Sequence, residues 1–283
     1  MDLPLPRSFG PRETPAWFRD WATAAGSPEL NLVVPSGCFL RPTGIALLAA
    51  GIAWRQSEGL TTTMRWEPGS EDTHRYLQRI DFFRSLGVTS REAFERHDPT
   101  GRFVPLQRIT DERTAHDLAE RSVACLDAGL LAGPRSPLRM ARFVFEELGV
   151  NIVQHSGAAQ TGFGVLQSFG DGLEIAFADA GIGFLASLQR NPELEGRVES
   201  EAEALQLAVG KGLSGTAAPR TNLGLGLGLL QDFSDRLGGE LWIASGDALL
   251  HRRTTAAVRT STVRPVASWR GSWICLQVPL RPS

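Results

Sequence analysis

The seven residues Leu173-Glu-Ile175-Ala-Phe177-Ala-Asp179 constrain this chain more than any other stretch. Their alternation sends Leu173, Ile175, Phe177 and Asp179 to one face of a half-buried strand. A carboxylate sharing a face with three core residues needs a partner, because an isolated buried charge is costly. Asp179 stands where the strand ends, and Gly181-Ile-Gly183 follows at once. Glycines there permit a tight turn and let another group approach the backbone closely. A carboxylate accepting from an exocyclic amine, with glycines under a flat ring, suits a purine. A strand-ending turn with a capping aspartate fits the same residues.

Two other stretches belong with this one. Upstream, Leu138, Ala141, Phe145, Leu148 and Ile152 keep the three-four spacing of a core-facing helix stripe. Glu147 and Asn151, four residues apart, project together from another face of that helix. They offer a base for a water or hydroxyl and an oxygen ligand for a hard cation; a solvated polar face fits the pair as well. His155 lies within about 80° of Glu147 around the helix and either orients that face or caps the helix. Downstream, Gly224, Gly226 and Gly228 form a ladder running into the amphipathic stretch Leu229 to Leu237. A glycine-rich loop opening a helix presents free N–H groups and the positive end of the helix dipole to an anion. The ladder is neither a Walker A loop nor the dinucleotide fingerprint. Lys211 lacks the upstream glycine and the following Ser or Thr, and the spacing here is G-x-G-x-G with no strand before it.

With these motifs in this order, residues 101–283 resemble the Bergerat-fold (GHKL) ATPases, the group that contains gyrase and the histidine kinases. The branch most similar is the histidine-kinase-like ATPase domain of anti-sigma-factor serine kinases, whose asparagine motif also ends in histidine. The resemblance implies an α/β sandwich, a mixed sheet with helices on one face, that binds ATP and Mg²⁺. It makes Glu147 the general base, Asn151 the magnesium ligand and Asp179 the adenine-reading aspartate. Gly181 and Gly183 match the first glycine box, and Gly224, Gly226 and Gly228 the second. Ser272, after Gly271, takes the place of the family's threonine near the adenine. The segment between the boxes, 184–222, matches the family's lid over the phosphates, with a helix expected over Glu199 to Val209. Lys211 and Arg220 are its candidates to reach the γ-phosphate on closure.

With 283 residues, 42% of them hydrophobic, the chain can bury one large core or two small ones. A net charge of −2 gives no electrostatic case for binding nucleic acid or anionic membrane. No apolar run is long enough to span a bilayer, and no secretory signal pattern opens the chain. Cys38, Cys125 and Cys275 are odd in number and widely spaced, against a disulfide framework or zinc site. The chain reads as cytoplasmic.

Residues 1–28 read as an extension with one short helix, carrying Trp17, Phe18 and Trp21, docked on the body. From 29 to 100, strand and helix patterns alternate: Leu32-Val-Val34, a helix from Thr43-Gly44 through Ala53, a strand over Leu60 to Trp66, and a helix over Glu71 to Leu86. This part resembles a STAS-type domain, the anti-anti-sigma fold. That family places an Asp-Ser pair before the helix glycine, where anti-sigma-type kinases phosphorylate it; this chain has Arg41-Pro42-Thr43-Gly44. Thr43 is therefore a candidate phosphoacceptor or a plain helix N-cap.

Residues 88–104 read as the boundary, and Phe103 to Leu106 as a short strand. Asp111 to Leu126 follows as a helix with Ala115, Leu118, Val123 and Leu126 inward. His116-Asp-Leu118 on it superficially matches a histidine-kinase phosphoacceptor box, but only 35 residues separate it from the asparagine motif, with no room for a dimerisation hairpin. His116 is thus expected at the surface. Asp247 to Arg270 carries five arginines and reads as a protruding, solvated connection between the last strands.

Three functions fit: a protein serine/threonine kinase of the anti-sigma type, an ATPase switch in which lid closure drives dimerisation or partner release, and a non-catalytic ATP-dependent interaction module. Each takes ATP as ligand and a regulatory protein or a second copy of the chain as partner.

Overall fold

The computed structural model describes residues 1–127, 138–170, 172–192, 196–209, 226–255 and 257–279. The chain enters a sheet immediately: β1 (Asp2–Pro4) pairs in parallel with β3 (Glu29–Val34), which pairs in parallel with β5 (Thr61–Trp66). A two-residue strand β2 (Ser8–Phe9) pairs with β4 (Phe39–Leu40). Two helices make the crossovers, α1 (Thr14–Ala24) and α2 (Pro42–Ser57). Parallel neighbours require such crossovers, because no short turn can return the chain in the same direction. The boundary expected at residue 28 therefore falls inside this unit: β1 is an edge strand of its sheet, and α1 is a crossover helix. Trp17, Phe18 and Trp21 are buried on α1, as their helical spacing requires.

The helix expected over Glu71 to Leu86 is broken in two, α3 (Glu71–Arg79) and α4 (Phe82–Ser85). Asp81 between them has φ +60, and the Ile80 carbonyl accepts the Leu106 N–H at 2.9 Å. Taking that carbonyl out of the helical ladder ends α3, while the three-four apolar spacing persists across the break and masks it in the sequence.

The remainder is built on a five-stranded sheet in the order β6-β7-β8-β10-β9. Its strands are β6 (Phe103–Arg108), β7 (Phe163–Ser168), β8 (Gly172–Ala178), β9 (Glu240–Thr254) and β10 (Arg259–Pro279). Every pairing in it is antiparallel, where a mixed sheet was expected; among the described residues parallel pairing is confined to the N-terminal strands. The arginine-rich stretch 247–270 is exposed over 257–262, as a solvated connection should be, but it is not an open loop. It is paired strand, with Thr254 opposite Arg259 and Ala248 opposite Pro265. β9 doubles back at Gly246, so that the Thr254 N–H reaches the Gly239 carbonyl (3.0 Å) and His251 stacks on Trp242 at 4.8 Å. Arg252 is held by Asp235 at 2.6 Å and Arg253 by Glu240 at 2.9 Å, which turns the basic run into ion pairs on the protein's own surface.

The helices α5 (Glu112–Asp127), α6 (Leu138–His155), α8 (Glu201–Val209) and α9 (Gly226–Arg236) lie on one face of this sheet, as expected, and the N-terminal helices α1 and α2 cover the other. Leu173, Ile175, Phe177, Ile243, Ile274 and Leu276 meet the first four in one core. Between β8 and α8 runs the short helix α7 (Gly183–Gln189). The alternate residues Phe163, Val165, Ala176, Ala178, Ala244 and Trp273 meet α1 and α2 in the other core. The alanines Ala176, Ala178 and Ala244 on the sheet and Ala46, Ala49, Ala50 and Ala53 on α2 leave room for that helix to lie close. α2 is buried on nearly every side, as a helix lodged between two sheets must be.

A charged cluster joins the layers. Glu174 is fully buried on β8; its carboxylate accepts from Arg41 Nε (2.5 Å), from the Thr43 N–H (3.0 Å) and from Gln277 Nε2 (2.8 Å). It thereby caps the amino end of α2 from a different layer. Thr43 itself is fully buried inside the first turn, so it is neither the N-cap of α2 nor an accessible phosphoacceptor. Among the described residues no helix is long and apolar enough to cross a membrane.

Candidate nucleotide site

Asp179 follows the last residue of β8 and is 2% exposed. Its Oδ1 accepts the Gly181 N–H at 2.8 Å, and its Oδ2 accepts the Ser272 hydroxyl. The Asp179 N–H in turn donates to the Ser272 carbonyl at 2.9 Å, so the two residues that the sequence placed near a purine are bonded through both side chain and backbone. Burial pushes the Asp179 carboxyl up to about 6, against the opposing pull of the Ser272 and Gly181 hydrogen bonds.

The turn after Asp179 is fully tied. The Ala180 N–H donates to Thr161 Oγ1 (3.0 Å) and the Ile182 N–H to the Ser156 carbonyl (2.9 Å). The two glycines of the first box have separate structural causes. A side chain at Gly181 would overlap the Ser156 carbonyl at the end of α6, so what approaches the backbone there is the protein itself. Gly183 has φ +77, and a Cβ on it would lie 2.7 Å from Ser245 Oγ. The amino end of α7 beyond it is also occupied: the Phe184 N–H donates to Ser245 Oγ at 2.8 Å and the Leu185 N–H to Glu201 at 3.2 Å.

Because Ser156 bonds Ile182, α6 leads directly away from the Asp179 turn. At 1.5 Å per residue, Asn151 stands about 7.5 Å and Glu147 about 13.5 Å along the helix from Ser156. Ala141, Phe145, Leu148 and Ile152 are buried on the opposite stripe, which leaves Glu147, Asn151 and His155 half-buried on a shared face. Burial, followed by the neighbouring Glu146 charge, raises the Glu147 carboxyl above its ordinary range. Burial, then the positive charge of Arg190, lowers His155 and favours its neutral imidazole. His116 is half exposed, 3.2 Å from Glu146, a surface histidine as its spacing implied.

Gly226 and Gly228 open α9, which begins three residues earlier than the apolar pattern suggested. α9 lies against α6 through the Phe145–Phe233 edge contact at 6.1 Å, which brings its amino end to the same side of the sheet as Glu147. Gly224, Lys211 and Arg220 lie outside the described residues, as do 193–195 and 210–222 of the segment between the glycine boxes.

The sequence reading missed Thr161, Ser156, Ser245, Glu201, Trp269 and Arg270. Trp269 Nε1 donates to the Asp179 carbonyl at 3.1 Å and Arg270 Nε to the Ala180 carbonyl at 3.2 Å. The one signal available for the last two was their position immediately before Gly271-Ser272. The others are small or common residues with no motif around them.

A purine amine needs a buried acceptor, and the Asp179 carboxylate, although each oxygen already accepts one hydrogen bond, retains lone pairs that could take another. Phosphate-bound Mg²⁺ takes one or two protein oxygens and fills its shell with phosphate and water, a demand that one carboxamide such as that of Asn151 could meet. Among the described residues no group of three or more His, Cys, Asp or Glu could hold a metal on its own. Protein-family models were compared with the chain and none matches, nor does any curated protein.

Proposed function

We propose that this protein binds ATP with Mg²⁺ and acts as an anti-sigma-type protein serine/threonine kinase in a cytoplasmic signalling system, phosphorylating a hydroxyl on a partner protein. The observation that carries the reading is the Asp179–Ser272 pair: a buried carboxylate, bonded to a neighbouring hydroxyl, at the end of a strand and at the foot of the helix that bears Glu147 and Asn151.

In this reading Asp179 accepts the exocyclic amine of adenine, and Ser272 holds the carboxylate in orientation. Asn151 would hold Mg²⁺, whose chemistry there would be neutralisation of the phosphate charge. The amino end of α9, opened by Gly226 and Gly228, contributes backbone N–H groups to the same phosphates. Glu147, raised above the usual carboxylate range by burial, accepts the proton of the attacking hydroxyl. Thr43 is sealed beneath Glu174 and is not the acceptor; the attacking hydroxyl belongs, in this reading, to a partner protein. The same base acting on water would give an ATPase switch, and the experiment distinguishes the two.

Calorimetry with Mg-ATP is expected to show binding that Asp179→Ala abolishes. Glu147→Ala is expected to keep binding while losing γ-phosphate turnover. With γ-labelled ATP, acid-stable label on an added partner identifies the kinase, whereas free phosphate alone identifies the ATPase. Failure of the wild-type protein to bind adenine nucleotide sinks the reading.

A further inference from the structure

We propose that Trp269 is a positioning residue for the nucleotide pocket, and that through it the N-terminal layer sets how tightly and how selectively Asp179 holds its ligand. The inference rests on the ATP-binding reading and adds to it a residue and a layer outside the Bergerat resemblance.

Four consecutive residues of β10 grip the Asp179 turn. Trp269 donates its indole N–H to the Asp179 carbonyl, and Arg270 donates to the Ala180 carbonyl. Gly271, at φ +91, lies so close to Asp179 that a side chain there would overlap its carbonyl. Ser272 bonds the carboxylate itself. The first two of these are in turn held by the N-terminal layer. Trp269 is 1% exposed; its ring stacks on Phe18 at 5.5 Å with an interplanar angle of 18°, and lies 5.9 Å from Trp17 and 6.0 Å from Trp21. All three partners are on α1. The Arg270 guanidinium sits over the ring of Trp54 on α2 at 5.5 Å.

The indole N–H has two consequences for the site. It fixes the plane of the peptide that carries Asp179, and so the direction in which the carboxylate leaves the backbone. It also couples that plane to α1, because the ring cannot tilt without disturbing its stack on Phe18. A carboxylate held in one direction discriminates sharply between a ring that presents an amine and one that presents a carbonyl at the same place, since the carbonyl leaves it facing an acceptor. A loosened carboxylate turns aside and discriminates less.

Trp269→Phe keeps an aromatic ring in the stack and removes only the donor. Phe18→Leu leaves Trp269 in place and removes the ring beneath it, without touching the pocket. Affinities for Mg-ATP and Mg-GTP are measured by calorimetry on the full chain, with thermal unfolding of each variant as the folding control. Trp269→Phe is expected to weaken ATP binding about tenfold, the effect of one lost hydrogen bond, and to lower the ATP-over-GTP preference. Phe18→Leu is expected to move both in the same direction by less. Should Trp269→Phe lack a cooperative transition, Phe18→Leu decides. Wild-type affinities in the folded variants overturn the inference and leave the ATP reading intact. So does a loss of affinity with the ATP-to-GTP ratio unchanged, which is what general loosening of the fold produces. A wild-type protein that binds neither nucleotide removes the ATP reading, and this inference with it.

Discussion

Asp179 is asked to do two opposed things. Folding buries it, which favours the neutral acid, and the proposed ligand needs an acceptor, which the anion serves better. The structure holds its carboxyl at about 6 against a reference of 3.8, so the folded state binds a proton more readily than the unfolded one. The stability this contributes is fully present below the unfolded value and is lost as pH rises through about 6. The gap corresponds to about 3 kcal/mol. Denaturant titrations are therefore expected to show the wild type losing stability relative to Asp179→Asn between pH 4 and pH 7, since the carboxamide does not titrate. ATP affinity is expected to change the other way over the same window, rising as the carboxylate ionises. A stability difference independent of pH would show that Asp179 is not the titrating group. The alternating pattern of Leu173, Ile175 and Phe177 made the placement of Asp179 legible in the sequence, and Gly271-Ser272 made its partner legible. Trp269 and Arg270 were illegible because their roles depend on which backbone carbonyls face them, and those lie 90 residues away in the chain.

At the scale of elements, α2 shows what binary patterning reveals and what it conceals. Its apolar run marked a helix from Thr43, yet a run apolar on all sides does not say what surrounds it. The structure places it between two sheets and gives its amino end a carboxylate from β8. Glu174 carried no warning in the sequence, since it occupies the polar position of an alternating strand that looks half-exposed. It becomes buried only because the N-terminal layer lies over that face. The break at Asp81 and the fold-back at Gly246 were hidden for related reasons: apolar spacing continues through the first, and the second is set by which strand pairs with which. Removing Glu174 leaves the Arg41 guanidinium without its carboxylate and uncaps α2. Arg41 keeps 30% of its side-chain exposure, so water compensates in part. The cost for Glu174→Ala is expected at about 2–3 kcal/mol, at or below the low end for breaking a buried ion pair, read from the urea midpoint. Arg41→Lys is expected to recover none of the lost geometry in that background. A loss below about 0.5 kcal/mol, the ordinary range for a surface substitution, would mean that the cluster contributes no cohesion between the layers.

At the scale of the whole molecule, the two resemblances suggest a chain of separable domains, and the packing argues for one folding unit. The face of the five-stranded sheet that carries Phe163, Val165, Ala176, Trp242, Trp273 and Cys275 packs against α1 and α2, with Tyr76 of α3 bonded to Gln167 and His251 stacked on Trp242 at its margins. Without the N-terminal layer these residues would form an exposed apolar surface far larger than folded monomers tolerate. In the same way, α2 without the sheet would be an apolar helix with nothing to bury against. The opposite face of the sheet has a core of its own, drawn wholly from residues 104–278, but stripping away α1 and α2 would expose the second face, so the two layers are expected to unfold together. Denaturation followed by tryptophan emission, which reports the Trp17–Trp21–Trp269 cluster between the layers, should coincide with denaturation followed by far-ultraviolet circular dichroism, which reports the whole chain. Two separated transitions, with the tryptophan signal lost first, would show that the layers are docked domains. One transition would mean that a ligand bound at Asp179 stabilises α1 and β1 as much as it stabilises the strand it touches, because the free energy of binding is shared by every element that melts with the site.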